Sequence, residues 1–159
     1  VKGIIRESGE LAQKSVPFVR PRGTPKPRPS GQAEMVVEHG KYPSDDGTRI
    51  GFVFLSPVAK LVRCSEAPAL LLWWGGNSET AAQRAELGAG ELHRLVAAGS
   101  VLAFFVDYRG FGMSEGTATL ATFRGDADAF YRHLPDALSR RGWPWPWRGP
   151  LILAGHSIG

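Results

Sequence analysis

The stretch LILAGHSIG, residues 151–159, decides the fold that the sequence predicts. Four apolar residues, a pattern typical of a strand covered on both faces, run directly into a Gly-x-Ser-x-Gly pentapeptide centred on Ser157. A strand that enters such a pentapeptide is followed by a sharp turn, which lifts the serine oxygen above the end of the sheet. The turn also needs small residues two positions before and after the serine, and both positions are glycine. We therefore predict that Ser157 is a nucleophile.

A second pentapeptide of the same form surrounds Ser114, but four residues separate it from the predicted strand that ends at Asp107. Ser114 is therefore expected in a loop. The alternative, in which Ser114 is the nucleophile, has acids and bases downstream in the order of a catalytic triad. These are Asp126, Asp128, His133 and His156. The better interpretation of the two aspartates and His133 is the solvated face of a helix, and His156 is too close to Ser157 in sequence to serve as its base.

The segments before residue 151 alternate between strand and helix patterns. EMVVEH and RIGFVFLS, joined by PSDDGT, predict a β-hairpin, and ALLLWW and SVLAFFVD predict buried strands. One helix is expected between a cap at Ser78 and a stop at Gly99, and another over residues 120–140, kinked or ended early by Pro135. The loop RGWPWPWRGP is expected to pack its rings on the domain. The order predicts a mostly parallel sheet with helices on both faces and a leading antiparallel hairpin.

Three segments together resemble a known family. ALLLWWGGNSET, FFVDYRGFGMSEG and LILAGHSIG, in this order and at these spacings, resemble the N-terminal half of an α/β-hydrolase, most closely the Bem46-like and serine aminopeptidase or monoacylglycerol-lipase-like branch. The resemblance runs over residues 34–159. It implies an α/β-hydrolase fold, truncated after the nucleophile elbow. It also implies a serine hydrolase that acts on an ester, thioester or amide of a small-molecule or lipid acyl substrate through an acyl-enzyme.

The resemblance also implies roles for individual residues. Ser157 matches the nucleophile, and the backbone N–H groups of Ile158 and Asn77 match the two oxyanion donors. The family usually places His-Gly before the second donor, whereas this chain has Gly75 and Gly76, so the side chain that would hold this loop is missing. Asp107 and Arg109 are expected to shape a neighbouring loop, a role favoured for Arg109 over binding of a substrate carboxylate.

The triad order Ser, acid, His places the acid and the histidine after residue 159. We therefore expect a fragment of a larger hydrolase that is inactive and poorly soluble when expressed alone, with its last strand exposed as an apolar edge. The alternative is a non-catalytic α/β-hydrolase-like protein that uses the fold for binding.

Charge divides the chain into a leader and a domain. The formal net charge is +4, and residues 1–31 form a basic, proline-rich leader that is expected to be disordered. Residues 32–159 form the N-terminal part of the hydrolase domain. The leader allows peripheral contact with acidic lipids, while the lack of interleaved aromatic residues argues against nucleic acid. Cys64 is the only cysteine, and a cytoplasmic or membrane-associated location is favoured over secretion. No cofactor or metal site is expected, and the oligomeric state is left open.

Overall fold

The computed structural model describes residues 34–58, 67–77, 79–87, 90–157 and 159. The predicted leader, Cys64, Ser78 and Ile158 lie outside these ranges. Within them the elements follow one another as strands β1 to β5 and helices α1 to α3. Their order and bounds are β1 Met35–Pro43, β2 Arg49–Pro57, β3 Ala69–Trp74, α1 Ala81–Leu87, α2 Glu91–Ala97, β4 Val101–Val106, α3 Leu120–Ser139 and β5 Leu151–Gly155.

The strands form a mixed sheet in the order β1-β2-β4-β3-β5. β1 and β2 make the predicted antiparallel hairpin, and β2 pairs antiparallel with β4. β3 pairs in parallel with both β4 and β5, as expected for buried apolar strands that are separated by helices. The prediction of a mostly parallel sheet with a leading hairpin is confirmed.

Helices cover both faces of the sheet, and the alternation of side chains along β2 and β4 explains how. Phe52 and Phe54 of β2 pack with Phe104 of β4 and Phe130 of α3 in one core. Their neighbours in the strands point to the other face and pack against α1 and α2; this second core contains Val53, Leu55, Ala81, Ala85, Val96, Ala103 and Phe105. Successive strand residues face opposite sides, so a strand covered on both faces must be apolar throughout.

α3 carries the helical spacing of apolar residues that the sequence predicts. It spans Leu120–Ser139 and continues through Pro135, so the expected early end does not occur. The loop after it packs two of its tryptophans as predicted: Trp143 is buried, and Trp147 packs against the same core. Trp145, in contrast, is exposed.

One expectation about local structure is corrected. The single helix expected up to Gly99 is divided into α1 and α2, and Gly90 is the N-cap residue of α2. Glycine is a poor helix former, and the apolar stripe is too interrupted here to offset its cost.

The apolar run of β5, typical of a buried strand, lies at the edge of the sheet with Leu151, Ile152 and Leu153 exposed. This agrees with the expectation of an exposed edge. Among the described helices, none has the length and apolar character that crossing a membrane requires.

Candidate active site

Three loops meet at one edge of the sheet. The parallel registers pair Trp74, the last residue of β3, with Val106 of β4 and with Gly155 of β5. The carboxyl ends of the three strands therefore lie side by side, and the chain leaves each strand on the same edge. Ligands of open α/β sheets bind in the crevice at this edge. The predicted nucleophile and the predicted donor Asn77 both belong to these loops.

Ser157 lies in a tight turn directly after β5, and we call its described residues (156, 157 and 159) the serine turn. Its φ angle is +61°, in the left-handed region that costs a residue with a side chain about 1–2 kcal/mol. The Gly159 N–H donates to the His156 carbonyl oxygen at 3.0 Å and closes the turn. The His156 N–H donates to the Trp74 carbonyl oxygen at 3.1 Å and ties the turn to β3. Ser157 is exposed at the carboxyl edge of the sheet.

The glycines on either side of Ser157 are required by close backbone packing. A Cβ added at Gly155 would lie 2.1 Å from the carbonyl carbon of Gly159, and one at Gly159 would lie 2.2 Å from the carbonyl oxygen of Trp74. Real Cβ atoms essentially never approach other atoms within 3.0 Å, and neither neighbour is a side chain that could rotate away. The turn thus has the steric constraint that the pentapeptide predicts.

The loop after β3, residues 75–77, lies against the serine turn, and we call it the glycine loop. A Cβ added at Gly76 would lie 3.3 Å from the Ser157 Cβ and 3.0 Å from the His156 Nδ1. The Gly76 N–H donates to Glu79 Oε2 at 3.0 Å, and the Glu79 N–H donates to the Gly76 carbonyl oxygen at 3.2 Å. A side chain at Gly76 would therefore crowd the serine turn.

The Glu79 carboxylate also reaches the serine turn. Its Oε1 lies 3.2 Å from His156 Nδ1. The hydrogen bond from the Gly76 N–H lowers the pKa of Glu79, so the side chain is held in its ionised form. One carboxylate therefore contacts both the glycine loop and the serine turn.

Asp107 organises the loop that follows β4. Its carboxylate is buried and accepts hydrogen bonds from the Ala81 N–H at 2.6 Å and the Met113 N–H at 3.1 Å. Burial raises the pKa of Asp107 to about 6, although both backbone hydrogen bonds favour the ionised form. Gly112, at φ +51°, packs directly on this carboxylate. Asp107 thus joins the start of α1 to its own loop, in agreement with the expected structural role.

Arg109 is held by two carboxylates. Its Nε donates to Asp126 Oδ2 at 2.8 Å and its Nη1 to Asp46 Oδ2 at 2.5 Å. The remaining N–H groups bond to Asp126, Asp46, Ser44 and Thr48. These hydrogen bonds raise the pKa of Arg109, with those to Asp126 contributing most. Because its donors are directed at protein groups, the geometry favours the structural role over binding of a substrate carboxylate.

Comparison with solved structures places this geometry in a known fold. The chain superimposes on brefeldin A esterase, a bacterial homologue of human hormone-sensitive lipase, with a TM-score of 0.53 and 18% identity over 86% of this chain. It matches esterase Est22 with a TM-score of 0.56 and 17% identity over 80% of this chain. It matches a soluble variant of monoglyceride lipase from Saccharomyces cerevisiae with a TM-score of 0.55 and 23% identity over 84% of this chain. The chain has the α/β-hydrolase fold.

The chain covers only part of the α/β-hydrolase fold of these solved structures. The chain spans 36%, 37% and 40% of the lengths of those three solved chains. No family model matches the sequence, and no curated protein matches it either. At these identities the likeness shows the fold, and the Bem46-like branch remains a prediction.

Within the α/β-hydrolase fold, the predicted site residues fall at one place. Ser157 lies in the serine turn, and Asn77 directly follows Gly76, the residue that contacts this turn. Ile158 lies outside the described residues. Sequence reasoning missed Glu79. The sequence feature that could have pointed to Glu79 is Gly75, which stands where the family usually has a histidine. A Cβ added at Gly75 would lie 3.0 Å from the Glu79 Cβ.

The rival serine has a different role. Ser114 Oγ accepts a hydrogen bond from the Gly51 N–H at 2.8 Å, which ties its loop to β2. The expectation that Asp126 and His133 occupy a solvated face is wrong. Asp126 is buried against Arg109, and His133 is half-buried and stacks on Tyr42 with ring centroids 5.7 Å apart. Asp128 is exposed as expected.

The remaining ionisable groups suggest no metal centre in the described part of the chain, where no three His, Cys, Asp or Glu side chains converge on one point. His93 Nε2 on α2 lies 2.6 Å from the carbonyl oxygen of Ala85 on α1, so this imidazole joins the two short helices. Among the described residues, no histidine hydrogen-bonds to Ser157.

Proposed function

We propose that the whole protein is a serine hydrolase in which Ser157 is the nucleophile. The observation that carries the proposal is the left-handed backbone of Ser157 in a closed turn at the carboxyl edge of the sheet, between two glycines at which an added Cβ would clash with backbone atoms. A residue with a side chain keeps such a conformation only where its surroundings hold it there, and such residues cluster at active sites. The α/β-hydrolase fold places its nucleophilic serine on a turn of this kind.

The proposed reaction is acyl transfer to water. The Ser157 Oγ attacks the carbonyl carbon of an ester, thioester or amide, and its proton passes through a histidine base to the leaving group. The bond to the leaving alcohol, thiol or amine breaks and leaves an acyl-enzyme. Water then adds to the acyl carbon, releases the carboxylic acid and restores the serine hydroxyl.

Two backbone N–H groups stabilise the negative charge that develops on the carbonyl oxygen. We assign them to Ile158, directly after the nucleophile, and to Asn77 in the glycine loop. Support for Asn77 comes from Gly76, whose backbone lies against Ser157. Loss of one such donor in other enzymes costs about 2.7–4 kcal/mol of transition-state stabilisation.

The acid and the histidine of the proposed triad belong to the part of the fold that this chain does not span. In this fold they follow the serine in sequence. His156 is directed to Glu79, and His133, a residue of α3, is stacked on Tyr42, so neither is in place to accept the Ser157 proton.

The proposed substrate class is a small-molecule or lipid acyl compound. Brefeldin A esterase, Est22 and monoglyceride lipase, the proteins with similar structures, are esterases and lipases by name.

The test is hydrolysis of p-nitrophenyl esters of graded acyl length by the whole protein. We expect an initial burst of p-nitrophenol, the sign of an acyl-enzyme, and a fall in kcat of about 10⁴-fold or more in Ser157→Ala. Ser114→Ala is the matched control and should retain activity, because Ser114 Oγ is occupied by the Gly51 N–H. Binding of an acyl ester without turnover would instead support the non-catalytic alternative.

A further inference from the structure

We propose that Glu79 is a positioning residue that aligns the Asn77 N–H with Ser157 by tying the glycine loop to the serine turn. The inference rests on the proposed function, because it assigns Asn77 the role of oxyanion donor. It concerns a carboxylate that would not touch the substrate and would act through the backbone.

The first argument is the pair of hydrogen bonds between Glu79 and Gly76. The Glu79 carboxylate accepts from the Gly76 N–H at 3.0 Å, and the Glu79 N–H donates to the Gly76 carbonyl oxygen at 3.2 Å. The first bond orients the peptide plane before Gly76, and the second orients the plane after it. Glu79 therefore fixes both peptide units of this glycine, a residue that has little conformational preference of its own.

The second argument concerns the direction of the Asn77 N–H. The Gly76 carbonyl and the Asn77 N–H belong to the same planar trans peptide, so they point in opposite directions. Because the Gly76 carbonyl is directed toward the start of α1 by the Glu79 N–H, the Asn77 N–H must point away from it. A donor oriented in advance in this way requires no rearrangement when charge develops on the substrate.

The third argument is the second oxygen of the carboxylate. Glu79 Oε1 lies 3.2 Å from His156 Nδ1, and His156 is bonded to Trp74 through its backbone N–H. His156 immediately precedes Ser157, so the contact sets the distance between the glycine loop and the nucleophile. A neutral histidine with its hydrogen on Nδ1 donates to the carboxylate as a protonated one does, so the contact does not require a charged ring.

The fourth argument is the shape of the glycine loop. A Cβ at Gly75 would lie 3.2 Å from Glu79 Oε2, and a Cβ at Gly76 would lie 3.0 Å from His156 Nδ1. Both glycines thus leave the space that the carboxylate and the imidazole occupy. A side chain at either position would crowd Glu79 or His156 and require it to shift by a few tenths of an ångström.

The experiment compares ester hydrolysis by the whole protein and its Glu79 variants. Glu79→Ala should lower kcat by about 10–100-fold with little change in KM, since a displaced donor weakens transition-state binding more than substrate binding. Glu79→Gln keeps the length and an oxygen acceptor for the Gly76 N–H, and it should recover most of the activity. Glu86→Ala, at an exposed glutamate on α1, is the matched control and should equal wild type.

A double-mutant cycle distinguishes positioning from a general loss of structure. His156→Ala removes only one of the two ties and should lower kcat less than Glu79→Ala does. The double variant should be no worse than Glu79→Ala alone, because both substitutions remove the same contact. His156 is exposed, so its variant remains informative even where Glu79→Ala fails to fold.

The outcomes separate this inference from the proposed function. Full activity in Ser157→Ala would refute the proposed function whatever Glu79 does. Activity that depends on Ser157 but is unchanged in Glu79→Ala would overturn only the role of Glu79. An equal loss in Glu79→Gln and Glu79→Ala would overturn it as well, because the proposed role needs an acceptor rather than a charge.

Discussion

Replacement of Gly155 by alanine tests whether Ser157 is held by the packing of its turn. Gly155 is the last residue of β5, where an alanine can adopt the extended backbone, so the effect of the substitution is steric. The added Cβ would lie 2.1 Å from the Gly159 carbonyl carbon and 2.4 Å from its oxygen, whereas ordinary contacts begin at 3.4 Å. The two backbone segments must therefore separate by about 1.3 Å, which is the difference between 2.1 and 3.4 Å.

A displacement of this size has two expected consequences. Misplacing a reacting group by about 1 Å costs about 10²-fold in rate, so the reaction of Ser157 with a fluorophosphonate should slow by about 100-fold. Overpacking against the backbone should also lower the free energy of unfolding by about 1–3 kcal/mol. The measurements are the second-order rate constant of inactivation and urea unfolding, both on the whole protein.

Gly125→Ala is the matched control for this substitution. Gly125 lies inside α3 with no atom within 4 Å of an added Cβ, so alanine should raise the free energy of unfolding by about 1 kcal/mol and leave the rate unchanged. A Gly155→Ala protein that reacts as fast as wild type and unfolds at the same urea concentration would refute the steric argument, and with it the described geometry of the serine turn.

Two further predictions concern stability. Ser157→Gly and Ser157→Ala should both be inactive, but the glycine variant should be more stable by about 0.5–1 kcal/mol. Glycine adopts a φ of +61° without the cost that alanine pays there, and its greater loss of backbone entropy offsets part of this gain. Urea unfolding of the two variants checks the difference, and equal stabilities would show that the turn is unstrained. Burial raises the pKa of Asp107 from 3.8 to about 6, so its contribution to stability is complete below about pH 3.8 and is lost as the pH rises through about 6. The loss is on the order of 3 kcal/mol, and Asp107→Asn should flatten the decline in unfolding free energy between pH 4 and pH 7; an unaltered slope would contradict the assignment.

The strands and their order along the chain could be predicted because each is specified by its own residues. ALLLWW and VLAFFV are continuous apolar runs, and only a strand covered on both faces requires this pattern. Once they are parallel, the loops that follow them meet at one edge, so the neighbourhood of Ser157 and Asn77 could also be predicted.

The polar interactions between distant loops could not be predicted in the same way. Asp126 has the helical position of a solvated residue, yet it is buried, because Arg109 and Ser44 approach it from other loops. Helical periodicity describes a residue relative to its own helix and carries no information on partners from elsewhere in the chain.

Glu79 was missed for a related reason. Its partners are Gly76, three residues away, and His156, which follows a strand more than 70 residues later. The absence of a histidine at Gly75 indicated a gap in the loop, but only the folded structure shows that the Glu79 carboxylate fills it. The division of the predicted helix at Gly90 was also beyond the sequence pattern, because the cost of glycine must be weighed against packing that is set by the whole sheet.

Mapping the fluorophosphonate label on the whole protein tests the central claim most directly. The account predicts that digestion and mass spectrometry will find the phosphonyl group on Ser157 in the wild-type protein and in Ser114→Ala, and none in Ser157→Ala. A label on Ser114, or no label on a folded protein, would contradict the assignment of Ser157 as an activated nucleophile.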